Sequence, residues 1–441
     1  MTSAHGTPST FDSVIRDIDR TAAGLGITLG EDDALLRDIY GRVALYLATA
    51  PEADKREALA DALAKLGPYV RQDRTVVVAG DPTADAVLGD GARVQWVCVE
   101  EGDSPRYVRI VERRLVGADW VVPPVVRSVD GPKRIVFASM KGGVGRSTAL
   151  CAAAVHLARQ GKRVLVVDLD LEAPGVGGML AGRENLPEYG VIDWLAGMSV
   201  GAPPPGPFVA RNVLRSAGGF VDVVPAYGRS SLANPVGYVA KLGRALAEVS
   251  TGDATPTHER VSRLIDEACS ARDYDVVLID ARAGLSEVTA GAIVALGATV
   301  LLFGTAQQQS IDDYTFLFAH MLSLVEPGRG AIWKHLVPVL AKAAPGEHNA
   351  RAQDAMFDLF ERFFYEPQSA EVDDEAYHFG ASDEDAPHRF VPIPFNPAFA
   401  TFDPQSNPND IDDSLRGVTF EKLLLAIEHI LKEPNQEPEP T

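Results

Sequence analysis

Apolar residues follow two rhythms along this chain. Beyond residue 133 they form short unbroken runs: Ile135-Val-Phe-Ala138, Val164-Leu-Val-Val167 and Val276-Val-Leu-Ile279. Ala298–Gly304, His335–Leu340 and Arg389–Ile393 repeat the signal. An unbroken apolar strand suits a parallel sheet covered on both faces. Between the runs lie stretches of helical period, up to about Gln160, then Tyr238–Val249, His258–Cys269 and Val418–Leu431. Strands alternating with helices predict a doubly wound, mostly parallel α/β sheet that takes its ligand at the strands' C-terminal edge. Phe220–Pro225 predicts an edge strand, closed by Pro225.

The first 130 residues read differently. Phe11, Val14, Ile15, Ile18 and Ala22 recur on one helical face. Asp32–Ala48 and Glu52–Leu66 predict two more helices, with Pro51 in the break. Thr75–Ala79, Arg93–Glu100 and Tyr107–Leu115 predict strands, the last two joined by a turn at Glu101–Pro105. Residues 1–130 are thus expected to form a small α+β accessory domain, helices first and a β-meander second. Residues 131–431 are expected to form the α/β domain, and residues 432–441 a disordered acidic tail. Residues 366–388 carry acids and no Lys or Arg, which predicts a mobile surface loop.

One stretch carries chemistry. After the strand ending at Ser139 comes Met140-Lys141-Gly142-Gly143-Val144-Gly145-Arg146-Ser147-Thr148, opening a helix. Glycines let such a turn aim backbone N–H groups inward, and the helix N-terminus adds partial positive charge, a cradle for phosphate. Ser147 is placed to ligate a magnesium ion carried on those phosphates. The next strand ends in Asp168-Leu-Asp170, and Asp280 ends the run from Val276. Standing alone, each aspartate would read as a surface residue closing a strand; the loop upstream makes them candidates for the same site.

Composition narrows the alternatives. The 441 residues carry 41 basic and 61 acidic side chains, a net charge of −20. That opposes a general nucleic-acid or anionic-membrane surface, leaving Arg211, Arg215 and Arg229 as a small basic patch. Three scattered cysteines, Cys98, Cys151 and Cys269, give no disulfide framework and fit a reducing cytoplasm. No run of about 18 apolar residues predicts a transmembrane helix.

The loop departs from the strict phosphate-loop pattern, with Met140 where the first Gly stands and Arg146 where the Lys stands. With its early lysine it resembles the ParA/MinD family of deviant-Walker P-loop ATPases. Within that family it is similar to the branch reading Lys-Gly-Gly-Val-Gly-Arg, often found in bacterial conflict or defence gene clusters. The resemblance implies ATP and Mg2+ as cofactors, held by residues 142–148 (Gly142, Gly143, Val144, Gly145, Arg146, Ser147, Thr148). It also implies metal held by Ser147 directly and by Asp280 through water. It implies that Asp170 orients the attacking water beside Asp168, and that Lys141 crosses a nucleotide-dependent homodimer to the partner's phosphates, as an arginine finger does. Arg146 replaces a compact charge near the β- and γ-phosphates with a planar fork, which predicts slow turnover. The function implied is a cytoplasmic, dimerising ATPase switch regulating an unidentified partner protein, with specific DNA binding disfavoured. The alternatives are a non-hydrolysing nucleotide-binding scaffold and a ParA-like DNA or cargo positioner. Ala281 stands where the family usually has Ser or Thr. Arg282 is open between phosphate or dimer contact and pairing with Glu287. Phe395 and Asn396 are candidates to pack against adenine.

Overall fold

A computed structural model describes residues 8–433 except 103, 115, 126–130, 202, 205, 217, 247–254, 329–332, 345, 367–376 and 400–412; of the side chains at 413–415 nothing is said. Two compact units are present: residues up to Pro123 together with 321–329, and Pro124–His320 together with the chain from residue 330.

The first unit runs α1 (Val14–Gly24), β1 (Ala34–Arg37), β2 (Val43–Leu47), α2 (Ala53–Ala64), β3 (Val76–Val78), α3 (Pro82–Leu88), β4 (Val94–Glu100) and β5 (Arg106–Glu112). Its five strands lie in the order β3-β2-β1-β5-β4. This corrects the expected helix over Asp32–Ala48, which is an antiparallel pair, Leu35 facing Leu45. It also corrects the order of helices first and meander second, since helices and strands interleave. The reason is burial on two faces. Leu35, Val43, Leu45 and Leu47 pack with α1 and α2, while Leu36, Ala44, Tyr46 and Val77 pack with Ala84 and Val87 of α3. A run buried on alternate sides fits a strand, and Gly41 at φ 82° makes the reversal.

The second unit begins with β6 (Lys133–Ser139), α4 (Arg146–Arg159), β7 (Arg163–Asp168), α5 (Val176–Ala181) and α6 (Val191–Met198). It continues with β8 (Ala210–Ser216), β9 (Gly219–Val224), α7 (Arg229–Ala233), α8 (Gly237–Ala245) and α9 (Thr257–Ser270). Then come β10 (Val276–Ala283), α10 (Glu287–Val294), β11 (Thr299–Gly304), α11 (Gln308–Ser323), β12 (Leu336–Ala343), α12 (Glu347–Phe363), β13 (Val391–Pro394) and α13 (Asp413–Lys432). The eight-stranded sheet has the order β13-β12-β11-β6-β10-β7-β9-β8. Every pairing is parallel except β8 with β9. The doubly wound, mostly parallel architecture read from the apolar runs is therefore the observed one.

Strand β10 lies between β6 and β7, so the chain order reverses around β6 and opens a crevice there. Small residues on α4, Ala149 and Ala152–Ala154, are fully buried and let this helix lie close on the sheet. Phe420, Leu423, Leu424 and Ile427 of α13 join the same core, so its apolar stripe is spent on packing. The run Phe220–Pro225 is not an edge. β8 pairs outside it, a strand whose exposed Arg211 and Arg215 break the apolar signal. Part of the loop expected at 366–388 is anchored: His388 is buried, with Nδ1 2.6 Å from Tyr365 Oη. Residues 367–376 of that stretch, and the tail from 434, lie outside the described residues. No described helix is long and apolar enough to cross a membrane.

Candidate nucleotide site

The turn between β6 and α4 takes its shape from two glycines. Gly143 and Gly145 hold φ of 73° and 89°, left-handed values that a Cβ would strain. Gly145 is the N-cap of α4, and buried Val144 pins the turn to the core. A Cβ built on Gly142, Gly143 or Gly145 would meet nothing within 4 Å, so the loop's outer face is open. The first turn of any helix has N–H groups without intrahelical acceptors, and Gly145 places the start of α4 at this opening. The backbone therefore fits a phosphate chain.

Beneath the turn, the predicted acids meet. Register pairs Asp280 of β10 with Asp168 of β7. Ser147 Oγ donates to Asp280 Oδ2 at 2.7 Å. Asp168 accepts from the backbone N–H of Gly177 at 3.0 Å and of Asp170 at 3.2 Å. Asp170 accepts from the N–H of Ala173 at 3.1 Å. All three carboxylates are buried. Burial, with the neighbouring Asp280 charge, pushes the Asp168 carboxyl up to about 7. Burial also raises Asp280, against the pull of Arg146 and the Ser147 hydroxyl.

The Arg146 side chain is taken up by the acids and by Ser139. Nε donates to Asp280 Oδ1 at 2.6 Å, Nη2 to Asp170 Oδ2 at 3.1 Å, and Nη1 to Ser139 Oγ at 3.3 Å. The fork matches two carboxylates that a lysine could only touch at a point. Arg146 thus gives its charge to Asp280 and Asp170.

Lys141 Nζ is buried without a hydrogen bond and lies 3.7 Å from Asp313 Oδ2 of α11. Arg282 pairs with Glu172, so the alternative of Glu287 is not the one observed. Gly284 N donates to Ser139 O at 2.8 Å, tying the segment after Asp280 to the strand before the loop. Asn396 is used locally: its amide donates to Thr419 Oγ1 and its oxygen accepts from Ala398 N, while Phe395 is exposed. The basic patch is largely neutralised, Arg211 by Asp222 and Arg229 by Glu188. Sequence reasoning missed Gly177 and Asp313. A Cβ on Gly177 would meet Pro225 Cβ at 2.6 Å, so its glycine in Pro174-Gly-Val-Gly-Gly178 was the available clue.

Among the described residues, no group of three or more His, Cys, Asp or Glu side chains is arranged to hold a metal alone. A serine hydroxyl beside carboxylates is a hard-oxygen set that suits magnesium when phosphate and water complete it. The donor chemistry thus fits a Mg-nucleotide.

The profile of the CobQ/CobB/MinD/ParA nucleotide binding domain matches residues 135–432. The chain is 31% identical over 169 residues to the chromosome-partitioning ATPase Soj of Thermus thermophilus, covering 38% of this chain and 53% of that protein. It therefore spans about half the length of this curated relative. A plasmid partition protein of Borrelia burgdorferi bound to AMPPNP is similar over 68% of this chain and 99% of its own, at 15% identity and TM-score 0.42. The MinC:MinD cell division complex of Aquifex aeolicus is similar over 70% and 99%, at 17% identity and TM-score 0.39. With a phosphate-type loop at the switch point of a doubly wound sheet and a profile match across most of its length, this chain belongs to the CobQ/CobB/MinD/ParA nucleotide-binding family.

Proposed function

We propose that this chain is an ATP-driven switch that binds Mg-ATP, pairs with a second copy, hydrolyses slowly and so regulates a partner protein. The observation that carries this reading is the meeting of Ser147, Arg146, Asp280, Asp170 and Asp168 directly under the glycine turn. In it, backbone N–H groups from Gly142 to Thr148 would hold phosphates, Ser147 would ligate magnesium, and Asp280 would hold it through water. Magnesium, when bound, supplies charge neutralisation at the phosphate oxygens. Asp170 would orient the water beside Asp168, and Lys141 would reach the second copy's phosphates. The deviant-Walker assignment and a setting in bacterial defence rest on the spelling Lys-Gly-Gly-Val-Gly-Arg, and a cytoplasmic location on the cysteine pattern.

A specific contact favours a second reading, a scaffold that binds nucleotide without hydrolysing it: Arg146 is engaged with Asp170, the proposed water-orienting acid. Single-turnover ATP hydrolysis with light-scattering mass measurement, on wild type and Lys141→Ala, separates the two. The switch requires a Mg-ATP-dependent doubling of mass and turnover below roughly 1 per second, both lost in the variant. Nucleotide binding with neither change leaves the scaffold. Salt-sensitive retention on DNA would instead support a positioner.

A further inference from the structure

We propose that Arg146 is a tethered counter-cation, a guanidinium that occupies the carboxylates a divalent ion would neutralise and must leave Asp280 before metal can be held there. Its purpose rests on the nucleotide reading above, but its geometry does not. Three features carry it. The first is saturation of the fork: Nε and Nη2 meet Asp280 at 2.6 and 3.5 Å, Nη2 meets Asp170 at 3.1 Å, and Nη1 meets Ser139. The second is burial, since the Arg146 side chain keeps only 7% of its surface exposed. Here its charge is screened little by solvent or salt. The third is that Asp280 is engaged at both oxygens: Oδ1 takes Arg146 Nε and Oδ2 takes the Ser147 hydroxyl proton.

Neighbouring cations do not share the task. Lys141 faces Asp313, and Arg282 faces Glu172. One guanidinium therefore stands between Asp170 and Asp280, with Asp168 paired across the strands to Asp280. A lysine at this position would offer a single point charge, free to swing between the acids and an incoming phosphate. The fork makes several directed bonds that must break together. Loading would then be ordered: Arg146 would have to leave for the anionic phosphates before Asp280 could turn to a metal. Divalent cation by itself is excluded.

Binding of Mn2+ alone to the full nucleotide-free chain, followed by electron paramagnetic resonance, tests this. Wild type is expected to show no Mn2+ site at the acids. Arg146→Gln is expected to gain weak Mn2+ binding at Ser147 and Asp280, at least about tenfold above any wild-type signal, because a buried positive charge beside the metal is gone. Adding Asp280→Asn should abolish the gain. Arg146→Lys should fall between, and it decides the matter if the Gln variant does not fold. A folded variant with no gain overturns the proposal, as does a wild type that binds Mn2+ as tightly as Arg146→Gln. A fluorescent ATP analogue titrated into wild type keeps the two ideas apart. Gained Mn2+ binding without nucleotide binding preserves the counter-cation and removes the nucleotide reading; intact nucleotide binding without a Mn2+ gain does the reverse.

Discussion

Two buried acid clusters stand on the same sheet, and they are built on opposite principles. Around Asp222 of β9, one fully buried carboxylate meets Arg211 at 3.0 Å, Arg272 at 2.9 Å, Tyr274 Oη at 2.8 Å and the backbone N–H of Asn212 at 2.6 Å. Arg272 also lies 3.3 Å over the Phe220 ring. Under the glycine turn the ratio is reversed: Asp170 and Asp280 share one arginine, and Asp168 beside them takes backbone N–H groups instead. The first cluster is over-supplied with donors and holds the β8–β9 end of the sheet closed. The second lacks positive charge and holds at least one carboxyl far above its ordinary range. A lock satisfies its charges completely, whereas a site leaves some for its ligand.

The largest effect expected from this contrast is on stability. Asp222→Ala leaves two arginines without their carboxylate and Tyr274 without its acceptor, with only neutral oxygens, Tyr274 Oη and Asn212 Oδ1, left to the arginines. Breaking a buried pair costs roughly 3–5 kcal/mol, and the low end, about 3 kcal/mol, applies because both arginines keep about a third of their surface in water. Asp280→Ala breaks a buried bond to Arg146 but also removes one acid from an acid-rich cluster and leaves Arg146 its bond to Asp170, so its cost should fall below that of Asp222→Ala. Urea denaturation of both variants at pH 7 measures the difference. Equal costs would mean that the two clusters are both structural.

A smaller effect follows from Asp168. Its carboxyl titrates near 7 in the folded chain and near 3.9 when unfolded, so the native state binds the extra proton between those values. Stability therefore falls as pH rises through that window, and the contribution is greatest below about pH 4. Between pH 5 and pH 7 the loss attributable to this group is about 2 kcal/mol. Asp168→Asn should flatten that part of the curve relative to wild type. An identical pH dependence in the two proteins would show that Asp168 stays ionised and that the cluster is better compensated than its contacts indicate.

The two clusters also differ in how far they could be read from residue order. Asp168, Asp170 and Asp280 end unbroken apolar strands near a glycine turn, and local pattern was enough to bring them together. Asp222, Arg211, Arg272 and Tyr274 are drawn from two strands and a loop that follow no spacing rule, and the polar face of β8 hid the strand that assembles them. The side-chain direction of Arg146 was equally out of reach, because position in a motif fixes the Cα and leaves the rotamer to the surroundings. In the first unit, helical spacing was the wrong guide to residues 32–48: their partner for parallel pairing, Ile110 opposite Leu35, lies far along the chain. Nothing near Asp32 announces it, and tertiary burial overrode the local period.

The smallest effect concerns the other cation of the loop. Lys141 and Asp313 keep 27% and 30% of their side-chain surface exposed, and their 3.7 Å separation is an ion pair without a hydrogen bond. Lys141 Nζ is itself buried, but both side chains reach water and the ammonium can turn out to it when Asp313 is lost, so the pair contributes about 1 kcal/mol. Asp313→Ala should therefore leave stability almost unchanged, unlike either variant above. If Lys141 must leave Asp313 to reach a second copy, the same substitution should favour pairing by up to about fivefold, the equilibrium equivalent of about 1 kcal/mol. Light scattering across an ATP titration would read this as a lower nucleotide concentration at half-maximal mass. A higher concentration would mean that Asp313 orients the lysine for its task, and an unchanged one that Lys141 never leaves its own subunit.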